Sequence, residues 1–104
     1  MSALFEVLAE PNRRRILDLL RVAERPVGDL VAELDVSQPA VSKHLRVLRD
    51  AGVVEVRVDA QRRVYRVRAE PLRAVDAWLA PYRELWESRL DSLERHLDDM
   101  GDQT

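Results

Sequence analysis

The chain has 104 residues, 46% of them apolar, a length that suits one domain with a modest core and leaves no room for a separate catalytic domain. No apolar run approaches membrane-spanning length and no signal peptide precedes the first helical pattern, so a cytoplasmic protein is expected. Cysteine is absent, which removes disulfides, thiolate chemistry and sulfur-ligated metal sites, and the net charge of −2 argues against nucleic acid only if charge is evenly spread.

In chain order, Leu4, Phe5, Val7 and Leu8 suggest a short first helix, and Glu10-Pro11 the start of a second. Ile16, Leu17, Leu19 and Leu20 supply the core side of that second helix. Arg13, Arg14 and Arg15 occupy its first turns, where cations oppose the helix dipole by a few tenths of a kcal/mol each, about 0.3 or more. Compensation comes either from a DNA phosphate or from acids such as Asp29 and Glu33. Val22 to Pro26 reads as a loop.

Residues 27–52, VGDLVAELDVSQPAVSKHLRVLRDAG, read as two short helices joined by a tight turn. Leu30, Val31 and Leu34 recur on one side of the first, and Asp35 and Val36 form the turn. Ser37 is an N-cap candidate and Pro39 falls in the first turn, where a missing N–H costs nothing, so the second helix starts near Gln38. Val41, Leu45 and Leu48 form its buried face, and Gly52 stands where a helix ends in a left-handed residue. The opposite face carries Pro39, Lys43, Arg46 and Asp50, flanked by Gln38, Ser42 and Arg49. Any surface helix has a polar face, so the neighbouring residues must decide what this one is for.

Past Gly52, Val54, Val56 and Val58 share one strand face, and Tyr65 and Val67 share one face of a second run. Two helices followed by a basic hairpin make a winged helix-turn-helix. The turn Asp59-Ala60-Gln61-Arg62-Arg63 has no Gly, so a loop of four or five residues is expected rather than a tight two-residue turn. Arg62 and Arg63 at its tip or shoulder either enter a minor groove, contact phosphate, or merely block edge-to-edge association.

The charge is polarised. Residues 37–68 hold eight Lys/Arg against three acids, a net +5, whereas residues 69–104 hold four Arg against nine acids, a net −5. The basic end coincides with the helix and hairpin placed on DNA, and the acidic end is expected to face away from phosphates.

Pro71 opens a long helix in which Leu72, Val75, Leu79, Tyr82, Trp86, Leu90, Leu93, Leu97 and Met100 recur at three- and four-residue steps. Pro81 should kink the helix or break it in two, since its ring clashes with the carbonyl of Ala77. The stripe, about 45 Å long, exceeds what one small winged domain can cover and implies a partner, most simply a second copy. Trp78 and Leu85 fall off the seam, toward the first helix or the protomer's own core. A coiled-coil partner of another kind is the alternative.

The runs PNRRRILDLL and DLVAELDVSQPAVSKHLRVLRDAGVVEVR, with the closing RRVYRV, resemble the ArsR/SmtB family of dimeric bacterial repressors over roughly residues 3–100. The resemblance implies a mainly helical winged helix-turn-helix fold with a small β-hairpin, in the order α-α-α-α-β-β-α, and repression by occlusion of a promoter. Residues 1–104 then form one domain, with the helix-turn-helix at 27–52, the wing at 53–68 and a dimerisation helix at 71–100. Metal-sensing relatives carry two cysteines where this chain has Pro26 and Gly28, and paired ligands along the last helix where it has Arg83 and Leu85 before His96 and Asp99. Half a site at most remains, so the resemblance is to the branch without metal sites, and no cofactor is expected. His44 borders the second helix of the motif, in a packing or phosphate-contacting role. No catalytic constellation appears, and an enzyme is not expected.

The expected DNA contacts are Ser37, Gln38, Ser42, Lys43, Arg46, Arg62 and Arg63, and the partner is double-stranded DNA with an inverted repeat. The expected homodimer interface is Leu4, Leu79, Tyr82, Trp86, Leu90, Leu93 and Leu97. Two other readings stay open: a winged module whose long helix recruits a different protein, and a sensor with a ligand or metal between its C-terminal helices.

Overall fold

A computed structural model describes residues 2–102. Its elements are α1 (Ser2–Ala9), α2 (Pro11–Val22), β1 (Arg25–Pro26), α3 (Val27–Leu34), α4 (Gln38–Asp50), β2 (Val54–Asp59), β3 (Arg62–Val67) and α5 (Glu70–Asp102). Contacts divide the chain into two units, one up to Leu72 and one from Arg73 onward.

The first unit is held by small side-chain devices at its helix ends. Glu10 is the N-cap of α2, its carboxylate accepting the Arg13 N–H at 3.1 Å, and Pro11 takes the first helical position. Arg14 settles the question of the arginine run in a way the sequence did not suggest. Its Nη1 donates to the carbonyls of Leu8 and Ala9 at 2.8 and 2.9 Å, so the cation caps the C-terminal end of α1. Arg15 donates to Asn12 Oδ1 at 3.4 Å, and among the described residues no ion pair joins Arg13, Arg14 or Arg15 to Asp29 or Glu33.

The helix-turn-helix follows its expected boundaries. Asp35 ends α3 in the left-handed region (φ 54, ψ 40), and Ser37 Oγ accepts the Ala40 N–H at 3.3 Å to start α4. At the other end Gly52 has φ 80. The Gly52 N–H bonds the Arg49 carbonyl at 3.0 Å and the Val53 N–H bonds the Leu48 carbonyl at 3.2 Å, which is the paired ladder of a Schellman motif. Leu48 and Val53, the two residues that motif brings together, are fully buried.

Ile16 and Leu20 from α2, Leu30 and Leu34 from α3, and Val41, Leu45 and Leu48 from α4 form the core with Val53, Val54 and Val64. Truncating a side chain such as Leu45 to Ala would cost roughly 2–5 kcal/mol. Leu4, expected at a dimer interface, packs with this core at 9% exposure in the single chain. The i, i+3, i+4 face of α1 that holds Leu4, Val7 and Leu8 is turned inward, and Phe5 is the large side chain left 37% exposed.

The wing departs from expectation twice. It is a three-stranded antiparallel sheet in the order β1-β3-β2, because Arg25 and Pro26, expected in a loop, pair with Tyr65 and Val64. Pro26 is tolerated there because β1 is an edge strand. The hairpin turn is also tight, since Asp59 pairs directly with Arg62 and only Ala60 and Gln61 lie between. Ala60 adopts φ 56 without being glycine. The register that puts Val54 and Val56 against Val67 and Tyr65 outweighs about 1–2 kcal/mol of left-handed strain.

α5 runs 33 residues, most of them in the second unit, with Pro81 inside it, so of the kink or break expected there the break does not occur. Ala77, whose carbonyl loses its intrahelical donor, is exposed, and water can satisfy it. Trp78 and Leu85 are 45% and 52% exposed rather than packed in a core. Trp78 meets Tyr82 one turn on, ring centroids 5.1 Å apart at a 43° tilt, and this widens the apolar stripe.

Candidate nucleic-acid interface

The eight cations of residues 37–68 fall into two groups. Arg57 bonds Glu24 and lies 3.8 Å from Asp59, Arg66 bonds its register partner Glu55, and Arg68 bonds Glu70 at 3.1 Å. Those three are neutralised on the sheet and just past it. Lys43, Arg46, Arg49, Arg62 and Arg63 have no carboxylate within ion-pair distance among the described residues. All five are exposed, three on α4 and two at the β2–β3 turn. Such charges cost little to bring to a polyanion, because no internal pair has to be broken first.

Helical spacing and strand register bring them together. Ser42, Arg46 and Arg49 follow one another at four- and three-residue steps along α4 and line an open cleft of about 480 Å³ whose far wall is Arg63 and Tyr65. Asp50 is the acid in this cleft. Lys43, with Pro39, Ser42 and Arg46, borders a shallower hollow on the outer side of α4. Gln38 is exposed in the first turn of α4, and Arg62 opens β3 opposite Asp59.

Of the residues expected from sequence, Ser42, Lys43, Arg46 and Arg63 thus lie around these two hollows, and Gln38 and Arg62 lie exposed at the ends of the same elements. Ser37 is committed to capping. Arg49 and Tyr65 were not singled out as contacts, although Arg49 stands seven residues after Ser42 and so shares its face. Tyr65 could be found only from the wing's register. His44 does not join them. Its Nε2 is 3.7 Å from Glu10 Oε2, and the ring is largely covered.

Among the described residues no group of three or more His, Cys, Asp or Glu side chains is placed to hold a metal ion, and no helix is long and apolar enough to cross a membrane. The family profile described as "Bacterial regulatory protein, arsR family" matches residues 10–56, from the cap of α2 into β2. The HTH-type transcriptional regulator Rv2034 of Mycobacterium tuberculosis is 36% identical over 100 residues, covering 96% of this chain and 91% of that protein. This chain belongs to the ArsR family. Its relatives in that family are transcriptional regulators. The transcriptional repressor SdpR of Bacillus subtilis is 37% identical over 54 residues, a match spanning 52% of this chain and 60% of that protein. Among solved structures, the homodimeric winged helix-turn-helix DNA-binding domain of Mb0332 from Mycobacterium bovis superposes with a TM-score of 0.66 at 28% identity, covering 80% of this chain and 77% of that one.

Proposed function

We propose that this ArsR-family chain is a cytoplasmic, sequence-specific double-stranded DNA-binding regulator that acts as a homodimer on an inverted repeat and represses by occupying its promoter. The observation that carries the reading is that, of the eight cations of residues 37–68, the five with no carboxylate partner among the described residues all lie on α4 or at the wing turn. In this reading α4 enters a major groove, with Gln38, Ser42, Lys43 and Arg46 toward base edges and phosphates, while Ser37 marks its start. Amide and guanidinium or ammonium groups suit adenine and guanine edges. Arg62 and Arg63 reach the flanking backbone or minor groove.

Residues 71–100 serve as the dimerisation helix. Tyr82, Trp86, Leu90, Leu93 and Leu97 are each close to half exposed or more in the single chain, and Leu79 is half-buried beside them. A second copy covers them in this reading, an arrangement for which the homodimeric Mb0332 domain is a precedent.

Selection of bound fragments from a random duplex pool tests the proposal. An inverted repeat with half-sites about 34 Å apart is expected. No enrichment together with a salt-independent signal would discard it, and would favour a module that recruits another protein through α5.

A further inference from the structure

β3 is the central strand of the sheet, and Val64 is the register partner of both Pro26 on β1 and Arg57 on β2. These three residues therefore stand in one row on one face. Glu24, just ahead of β1, reaches across that row and bonds the Arg57 guanidinium, joining segments 33 residues apart. Val64 is only 7% exposed, although it lies on the face opposite Tyr65 and Val67. Arg57 Nη1 also approaches Asp59 at 3.8 Å, and Arg66, bonded to Glu55, adds its field at Glu24. Acids and bases alternate here, and such a network holds its geometry better than a lone surface pair. The hydrogen bond from Arg57 is the main reason the Glu24 carboxyl sits below its ordinary value, and the same bond raises Arg57.

The strand pairing behind this bond is slight. β1 contributes two residues, one of them a proline with no N–H to give, so backbone bonds alone tie the wing weakly to the segment between α2 and α3. We propose that Glu24 and Arg57 form a clamp across β3 that sets the position of the wing, and that Arg57 is a wing-positioning residue rather than a phosphate contact. The clamp keeps the turn that carries Arg62 and Arg63 in register with α4 while adding no net charge of its own. The DNA side of this inference rests on the DNA-binding reading; the positioning of the wing does not.

The test uses the full chain with Glu24→Gln, Arg57→Gln and the double variant, read in two ways. Without DNA, amide exchange at Val64 and Tyr65 should quicken roughly two- to fivefold in each single variant while the Leu45 amide in α4 is unchanged. On an inverted-repeat duplex, each single variant should weaken binding by a similar factor with the salt slope unaltered, and the double variant should be no worse than either. Unchanged wing exchange in all three would overturn the clamp. A salt slope reduced by about 0.9 per protomer in Arg57→Gln, with Glu24→Gln binding as well as the parent or better, would make Arg57 a phosphate contact instead. A parent protein that binds no duplex, yet whose wing exchange responds as described, would keep the clamp and remove the DNA-binding reading.

Discussion

His44 Nε2 on α4 stands 3.7 Å from Oε2 of Glu10, the residue that caps α2. One carboxylate thus closes the first turn of one helix and meets the helix proposed to read DNA. Glu10→Ala should remove the cap and cost about 1 kcal/mol, a fall in Tm of about 4–8 °C for a domain of this size. Glu10→Gln should keep part of the cap through its amide oxygen and lose less. Thermal unfolding of the three proteins, followed by circular dichroism, checks the order; equal midpoints would mean the cap contributes nothing.

The wing turn offers the opposite kind of variant. Ala60 holds φ 56 at the first position of a two-residue turn, where a type II′ hairpin calls for glycine. Ala60→Gly should raise stability by roughly 1 kcal/mol, seen as a higher denaturant midpoint at unchanged slope. A lower midpoint would mean that the flexibility glycine gives the unfolded chain outweighs the relieved strain.

These two sites also mark where sequence reasoning stops. Local signals placed the ends of α3 and α4 well, because Ser37, Pro39 and Gly52 each act within a few residues of where they stand. The turn at Ala60 was misjudged since the usual glycine rule was applied without the register, and the register is fixed by Val54, Val56, Tyr65 and Val67 along the whole hairpin. β1 was missed because two residues including a proline carry no strand pattern, and only β3 makes them one. The roles of Arg14 and Arg57 were hidden for a similar reason: a count of charges treats every arginine alike, and contacts decide which remain free. In α5 the heptad-like spacing found the stripe, and of the kink or break read from Pro81 the continuous helix excludes the break.

The sorting of cations predicts a pattern in salt dependence. If each protomer neutralises about four phosphates, log K against log salt should have a slope of roughly −7 for the dimer. Arg62→Ala with Arg63→Ala should weaken all duplexes evenly and flatten that slope, whereas Gln38→Ala should relax preference at particular base positions. Arg66→Ala, which removes a cation already bonded to Glu55, should leave the slope alone. A slope insensitive to the wing pair but sensitive to Arg66 would reverse the assignment.

Glu24 sets a pH window. Its carboxyl is held below the ordinary value of 4.5, chiefly by the Arg57 hydrogen bond, so the clamp's contribution is complete above that value and is lost as pH falls through the lower folded value. Arg57 and Arg66 face it, while Asp59 and Glu55 stand next to those cations. Amide shifts of Val64 and Tyr65 should titrate below pH 4.5 in the parent and lose that transition in Glu24→Gln. A transition that survives the substitution belongs to another carboxylate.

Dimerisation through α5 supplies the last prediction. Leu90, Leu93 and Leu97 are 60%, 54% and 57% exposed along one stripe, with Tyr82 and Trp86 before them at 48% and 46%, a row of large apolar side chains for a second copy to cover. Two recognition helices related by a two-fold axis meet successive major grooves only as a pair, so each half-site adds to one binding event and a monomer keeps one weak half. Leu93→Glu should place an unpaired charge in the covered stripe at a cost of about 3–5 kcal/mol, giving monomers whose first unit stays folded but whose operator affinity collapses. Sedimentation reads the mass and a binding titration the affinity. A Leu93→Glu protein that stays dimeric would put the interface elsewhere, and one that is monomeric yet binds the full inverted repeat like the parent would overturn recognition by a two-fold pair.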